Sequence, residues 1–187
     1  LLALAISAST AANSDAAITY LREAVSRLDA TAEMHFLLGS EYAQIKLYSD
    51  AIAQMEAAIA IDPSQALVRF QLGLLWLTSG NAVQAEQVLL PLEALGNNSP
   101  FSYFGCGLCH LMRDQFEDAK VCLYQGIALN TQNLPLNADM RRIITAIDAL
   151  SSASGVDAQN IPGVEVSEGN QHLQHVLLSA YQGSQRH

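Results

Sequence analysis

Four alanines, Ala17, Ala51, Ala85 and Ala119, recur at a constant spacing of 34 residues, and other columns keep the same period. Twelve residues before each stands a small residue: Ala5, Gly39, Gly73 and Gly107. Just ahead of these lie Leu4, Leu38, Leu72 and Cys106, and four residues after each alanine come Leu21, Met55, Leu89 and Leu123. Three further on sit Ala24, Ala58, Leu92 and Gly126. A period of this length marks a supersecondary unit stacked on copies of itself, because one unit alone leaves apolar surface that a neighbour must bury. The apolar residues make up 50% of the chain and are mostly alanine and leucine, while aromatics reach only 6%. Both dominant residues favour helix and β-branched runs are nearly absent, so the unit is expected to be helical.

Turn signals separate the helices. Ser79-Gly80-Asn81 falls inside one unit and Asn97-Asn98-Ser99-Pro100 after it, where Ser99 is placed to cap a helix that Pro100 opens. Pro91 falls inside the second helix of its unit and should bend or shorten it.

The columns resemble the tetratricopeptide repeat, with its period of 34 and its leucine-glycine pair in the first helix. Residues 32–65 match most closely, through Leu38-Gly39, Tyr42, Ala51, Ala58 and Asp62-Pro63. Residues 66–99 follow with Leu72-Gly73, Trp76 and Ala85. Residues 100–133 carry Cys106-Gly107 and His110 where leucine-glycine and tyrosine are usual, and residues 1–31 look like a unit lacking its first few positions. The resemblance implies an all-α fold, a right-handed solenoid of helical hairpins, with hairpins near residues 1–28, 32–60, 66–95 and 100–129. A capping helix is expected at 137–151, with Met140, Ile143, Ile144, Ile147 and Leu150 on one side and Asp139, Arg141, Arg142 and Asp148 on the other. Residues 1–151 then form the solenoid. Gly155, Pro162 and Gly163 make 152–169 a linker, and 170–187 reads as a tail helix.

Charge and cysteine content narrow the function. The net charge of −9 is spread along the chain without a basic stripe, which argues against nucleic acid or anionic membranes as partners. Three cysteines fit poorly with a paired disulfide framework and better with a reducing compartment, read as the cytoplasm. No stretch approaches the ~18–20 apolar residues of a membrane span. Residues 1–12 have the apolar content of a signal-peptide core, but they lack a basic leader and an initiator Met, and the repeat register gives them a place in a hairpin.

Several strings invite chemistry. Cys106-Gly107-Leu108-Cys109-His110 spells a haem attachment or a redox or metal pair. Its place in the middle of a first helix, with Gly107 and His110 in packing columns, favours core packing, with the cysteines reduced, buried and free of metal. His172 and His175 share a spacing but no further ligand, and Glu117-Asp118 and Glu165 with Glu168 read as solvated acidic positions. No phosphate loop or nucleophile elbow occurs, so no catalytic residue and no cofactor is assigned.

A second apolar stripe on the first helices is the functional candidate. In the tetratricopeptide fold these helices line a concave surface. Beyond the packing columns they carry Phe36 and Leu37 in one unit and Leu67, Phe70, Leu74 and Leu77 in the next. Phe101, Phe104, Leu108, Leu111 and Met112 follow in the third. Spacings of three and four keep each set on one face. Phe36, Ser40, Gln71, Phe101 and Gly105 stand where carboxylate-clamping repeats use Lys, Arg and Asn, so an apolar or amphipathic segment is the expected ligand. The expected function is a protein-binding scaffold. The alternatives are a bacterial chaperone similar to those of type III secretion, through Pro100, Phe104 and Cys109, and a metal or redox protein using the Cys-His string. Self-association is a further expectation, as is a plug formed by the tail helix through Leu173, Val176, Leu177 and Tyr181.

Overall fold

In the computed structural model, which describes residues 1–154, every regular element is helical and no strand occurs among the described residues. The helices are α1 (Leu2–Thr10), α2 (Ser14–Val25), α3 (Ala32–Gln44), α4 (Tyr48–Ile61), α5 (Ala66–Thr78), α6 (Ala82–Leu89), α7 (Pro100–Met112), α8 (Phe116–Leu129) and α9 (Leu134–Ser154). A 3-10 helix, Leu90–Leu95, continues α6. Pro91 stands at its start, as expected where a residue without an N–H cannot extend the α-helical ladder. The linker and tail expected over 155–187, with their histidines and glutamates, lie outside the described residues. Residues 152–154, also assigned to that linker, continue α9.

The turns inside the hairpins repeat the period of 34 in the backbone itself. Ala12, Lys46, Gly80 and Asp114 all adopt positive φ, at 54°, 64°, 79° and 55°. Around three of them the hydrogen bonding is the same. The N–H groups of Asn13, Leu47 and Gln115 donate five residues back to the carbonyls of Ala8, Tyr42 and His110, at 2.9, 2.9 and 3.0 Å. The N–H groups of Ala12, Lys46 and Asp114 donate three residues back, at 2.9, 3.1 and 3.2 Å. This pair of bonds is a Schellman ending, which satisfies carbonyls that the helix end would otherwise leave open.

The chain divides into two compact units, Leu1–Ser79 and Gly80–His187, so the division falls between the two helices of the 66–99 repeat. In the first unit α1 packs on α2, α2 on α3, α3 on α4 and α4 on α5. The glycine column shows its purpose at Gly39. A Cβ there would lie 3.1 Å from the carbonyl oxygen of Ala51 and 3.0 Å from Cγ of Met55. Glycine on one helix and alanine on the other thus let α3 and α4 approach backbone to backbone. Ala5, Leu21 and Leu38 form a buried cluster between the first three helices, walled by Leu2, Ile18, Tyr20, Val25, Leu37 and Tyr42. Leu4, in the same column as Leu38, is instead 54% exposed. Asn13 and Thr31 cap α2 and α3 by accepting from the N–H groups of Ala16 and Met34.

In the second unit α7 and α8 repeat the arrangement. A Cβ on Gly107 would stand 3.2 Å from the carbonyl oxygen of Ala119 and 2.9 Å from Leu123. Ser99 occupies the N-cap of α7 with Pro100 at its first position, but its side chain makes no capping bond, contrary to the expectation. The 3-10 helix packs against α7, with Leu92 closing on Gly105, where a Cβ would be 3.1 Å from Leu92 Cδ1. The final helix begins three residues earlier than expected. Asn133 accepts from the N–H of Leu136 at 3.1 Å, and the buried amides of Asn130 and Asn137 bond to each other at 2.8 Å, fixing the turn out of α8. Leu136, Met140, Ile143, Ile144 and Ile147 of α9 are buried, while Asp139, Arg141 and Asp148 face solvent. Lys120 of α8 reaches Asp148 of α9 at 2.9 Å and Glu117 at 2.8 Å.

Candidate functional site

The apolar stripe divides once its residues are placed. Phe70, Leu77, Phe104, Leu108 and Leu111 are all at most 1% exposed and belong to the core. They are therefore withdrawn from the expected ligand face. Phe104 shows why periodicity misassigned it. A Cβ on Gly126 of α8 would stand 2.4 Å from the Phe104 ring, so the missing side chain is the space that ring fills. Phe101 then meets Phe104 edge to face, with ring centroids 6.2 Å apart and planes at 81°.

The other six, Phe36, Leu37, Leu67, Leu74, Phe101 and Met112, are half-buried. Leu37 leans on the cluster around Ala5, Leu21 and Leu38. Within the first unit this leaves Phe36 on α3, with Leu67 and Leu74 on α5, as partly accessible apolar positions in addition to the packing columns. Ser40 and Gln71, on the same two helices, are also half-buried, and neither carries a charge. Ser40 donates its hydroxyl to the carbonyl of Phe36 at 2.9 Å, and Thr78 does the same to Leu74 at 2.8 Å.

Sequence reasoning overlooked Glu41. This carboxylate on α3 is 3% exposed. The Ser9 hydroxyl of α1 donates to its Oε1 at 2.5 Å, and Oε2 has no hydrogen-bond partner among the described residues. An acidic residue in a helical repeat reads as a surface position, and only a column comparison with the apolar neighbours Leu38 and Tyr42 would have drawn attention to it.

The cysteines separate as well. Cys109 is buried, whereas Cys106 and Cys122 are half-buried with their Sγ atoms 3.0 Å apart. His110, one helical turn after Cys106, completes a group whose donor atoms all lie within 4.8 Å of one another. The burial expected of all three thiols holds for Cys109 alone, and the near neighbour of Cys106 is Cys122 across the hairpin rather than Cys109 of the Cys-x-x-Cys string. The signal was present in the columns: Gly39 meets Met55 and Gly107 meets Leu123, each 16 residues on, and Cys106 to Cys122 is the same offset one residue earlier. Burial, followed by the hydrogen bond shared with Cys106, pushes the Cys122 thiol up to about 12. Burial, then the Glu86 carboxylate, pushes Cys109 up to about 11. Neither is a ready thiolate nucleophile at neutral pH.

No helix among the described residues is long and apolar enough to cross a membrane. A family model described as Tetratricopeptide repeat matches residues 2–66 and 46–100, together more than half of the chain. No curated protein matches. Among solved structures, the one described as MamA 41-end from Desulfovibrio magneticus RS-1 is 15% identical with a TM-score of 0.60, covering 98% of this chain and 93% of that one. A MamA crystal structure is 17% identical with a TM-score of 0.58, covering 97% and 96%. The MamA MSR-1 C2 structure is 18% identical with a TM-score of 0.53, covering 96% and 94%. At these identities the likeness is one of fold.

Proposed function

The chain belongs to the tetratricopeptide repeat family, and on that premise we propose that it holds an apolar or amphipathic segment of another polypeptide rather than acting on it chemically. The observation that supports this reading is the second set of apolar side chains on the first helices of the hairpins. Leu38 with Gly39, and Leu72 with Gly73, are buried in the packing columns. Phe36, Leu67 and Leu74 stand outside those columns and keep part of their surface accessible. Because each of the three is already more than half buried, covering what remains contributes only a fraction of the about 1.5–3 kcal/mol gained by burying a fully exposed large apolar side chain, which suits a weak and reversible contact. The neutral Ser40 and Gln71 supply hydrogen bonding without selecting a terminal carboxylate. Such a ligand presents its own apolar face at helical spacing.

Photoreactive side chains placed singly at Phe36 and Leu74 in the full chain, in the native cell, test the reading. The comparison positions are Ala53 and Glu56, exposed on α4. Crosslinking to another polypeptide concentrated at Phe36 and Leu74 supports it. Equal yields at Ala53 and Glu56, or no polypeptide adduct at Phe36 and Leu74, overturn it.

A further inference from the structure

We propose that Cys106, His110 and Cys122 form a three-ligand site for a thiophilic d10 cation of the Zn2+ class, bridging α7 and α8.

Three observations carry it. Cys106 and His110 are spaced i, i+4 on α7, which sets two donors one above the other on one helical face. Cys122 meets that face from α8, and the three donor atoms lie within 4.8 Å of one another. A tetrahedral Zn2+, with Zn–S of about 2.3 Å and Zn–N of about 2.0–2.1 Å, needs its donors roughly 3.3–3.8 Å apart. The sulfurs, at 3.0 Å, need to separate by less than about an ångström, and the imidazole nitrogen, within 4.8 Å of them, needs to close in by about as much, both through side-chain rotation. The third observation is the histidine's own partner. Nδ1 of His110 bonds to Oε1 of Gln115 at 2.7 Å. An amide oxygen only accepts, so Nδ1 carries the proton and Nε2 keeps the lone pair. This is the outer-shell arrangement that orients metal-binding imidazoles.

Cys109 lies outside the set, so the donors are not the sequence-adjacent cysteines. Two sulfurs and one nitrogen suit zinc-like cations over calcium or magnesium, which take oxygen donors. Three protein ligands also leave a fourth position, and none of the three side chains is buried away from solvent. Binding converts two thiols to thiolates, so each ion displaces two protons while the imidazole contributes its neutral lone pair. The ion would cross-link the two helices of one hairpin and adds nothing to the ligand face of the first unit. The site therefore stands or falls independently of the peptide-binding reading.

The test is a Zn2+ titration of the reduced full chain against a competing chromophoric chelator in weak buffer. One ion bound per chain, with about two protons released, is expected from the two thiol ligands. C109S should retain the ion, C106S and C122S should lose it, and H110Q should bind at least tenfold more weakly. Helical content by circular dichroism identifies any variant that fails to fold. For that case, Co2+ added to the unmodified chain should give a thiolate-to-metal charge-transfer band and the visible absorption of a tetrahedral ion. Absence of stoichiometric Zn2+ binding, retention of the ion by folded C122S, or a Co2+ spectrum without sulfur ligation overturns the proposal. So does quantitative Cys106–Cys122 disulfide formation under conditions where no ion binds.

Discussion

The Ser9 hydroxyl donates to Oε1 of Glu41 at 2.5 Å, and it is the one hydrogen bond this buried carboxylate receives in the first unit. The interaction joins α1 to α3 across 32 residues. Removing the donor strands the carboxylate, whereas removing the charge leaves an acceptor still in place. Ser9→Ala should cost about 1–3 kcal/mol in denaturant unfolding, and Glu41→Gln should cost less than Ser9→Ala. Equal losses in the two variants would show that the charge on Glu41 is not what makes Ser9 important.

Gly126 and Phe104 are matched in shape. Since a Cβ on Gly126 would reach 2.4 Å from the ring, Gly126→Ala should destabilise the chain by about 1–3 kcal/mol through overpacking. Phe104→Leu, harmful alone, should recover part of the loss when combined with Gly126→Ala. Thermal unfolding of the double-mutant cycle measures the coupling, and strict additivity would contradict the contact.

Lys46 sits at φ 64° with no glycine to ease it. Lys46→Gly should raise stability by about 0.5–1 kcal/mol, the difference between the strain relieved and the extra freedom given to the unfolded chain. A control at exposed Lys46→Ala should bring no gain. A fall in melting temperature for Lys46→Gly would refute the account of the turn.

The thiols of Cys109 and Cys122 should be slow. Their pKa values are raised, so below about pH 9 the folded state keeps Cys109 and Cys122 protonated, and only the thiolate alkylates. At pH 8 both should react at least about tenfold more slowly than in the denatured chain, where an ordinary thiol titrates near 8.5. Rates in the folded protein should keep rising through pH 10. A plateau near pH 9, read by mass spectrometry of each cysteine, would contradict the shifts.

The columns that repeat were legible because they encode close approach. Gly39 facing Ala51, and Gly107 facing Ala119, follow from small residues held at one spacing, and Pro91 ended α6 for a reason local to its own ring. What escaped the sequence was environment. Phe70 and Phe104 share helical spacing with Phe36 and Phe101, and spacing alone does not tell a side chain that fills a neighbour's missing Cβ from one left at the surface. The left-handed turns at Ala12, Lys46 and Asp114 were also invisible, since of the four only Gly80, without a Cβ, adopts that conformation freely. The metal-ligand arrangement was partly visible. The string drew attention to Cys106 and His110, but Cys122 required applying the 16-residue hairpin offset to the cysteines.

The left-handed turns have a consequence for how this chain tolerates changes of length. Three residues join the helices of three hairpins, at 11–13, 45–47 and 113–115, and the six-residue bond across each leaves no slack. One residue inserted at the start of α4 would rotate every later side chain by about 100° around the helix axis and carry Met55 and Ala58 off the face that Gly39 meets. The two helices of a hairpin are thus locked in phase, and a single insertion there cannot be absorbed by sliding. Inserted residues should be accommodated instead at the joins between hairpins, such as exposed Gly96 to Asn98.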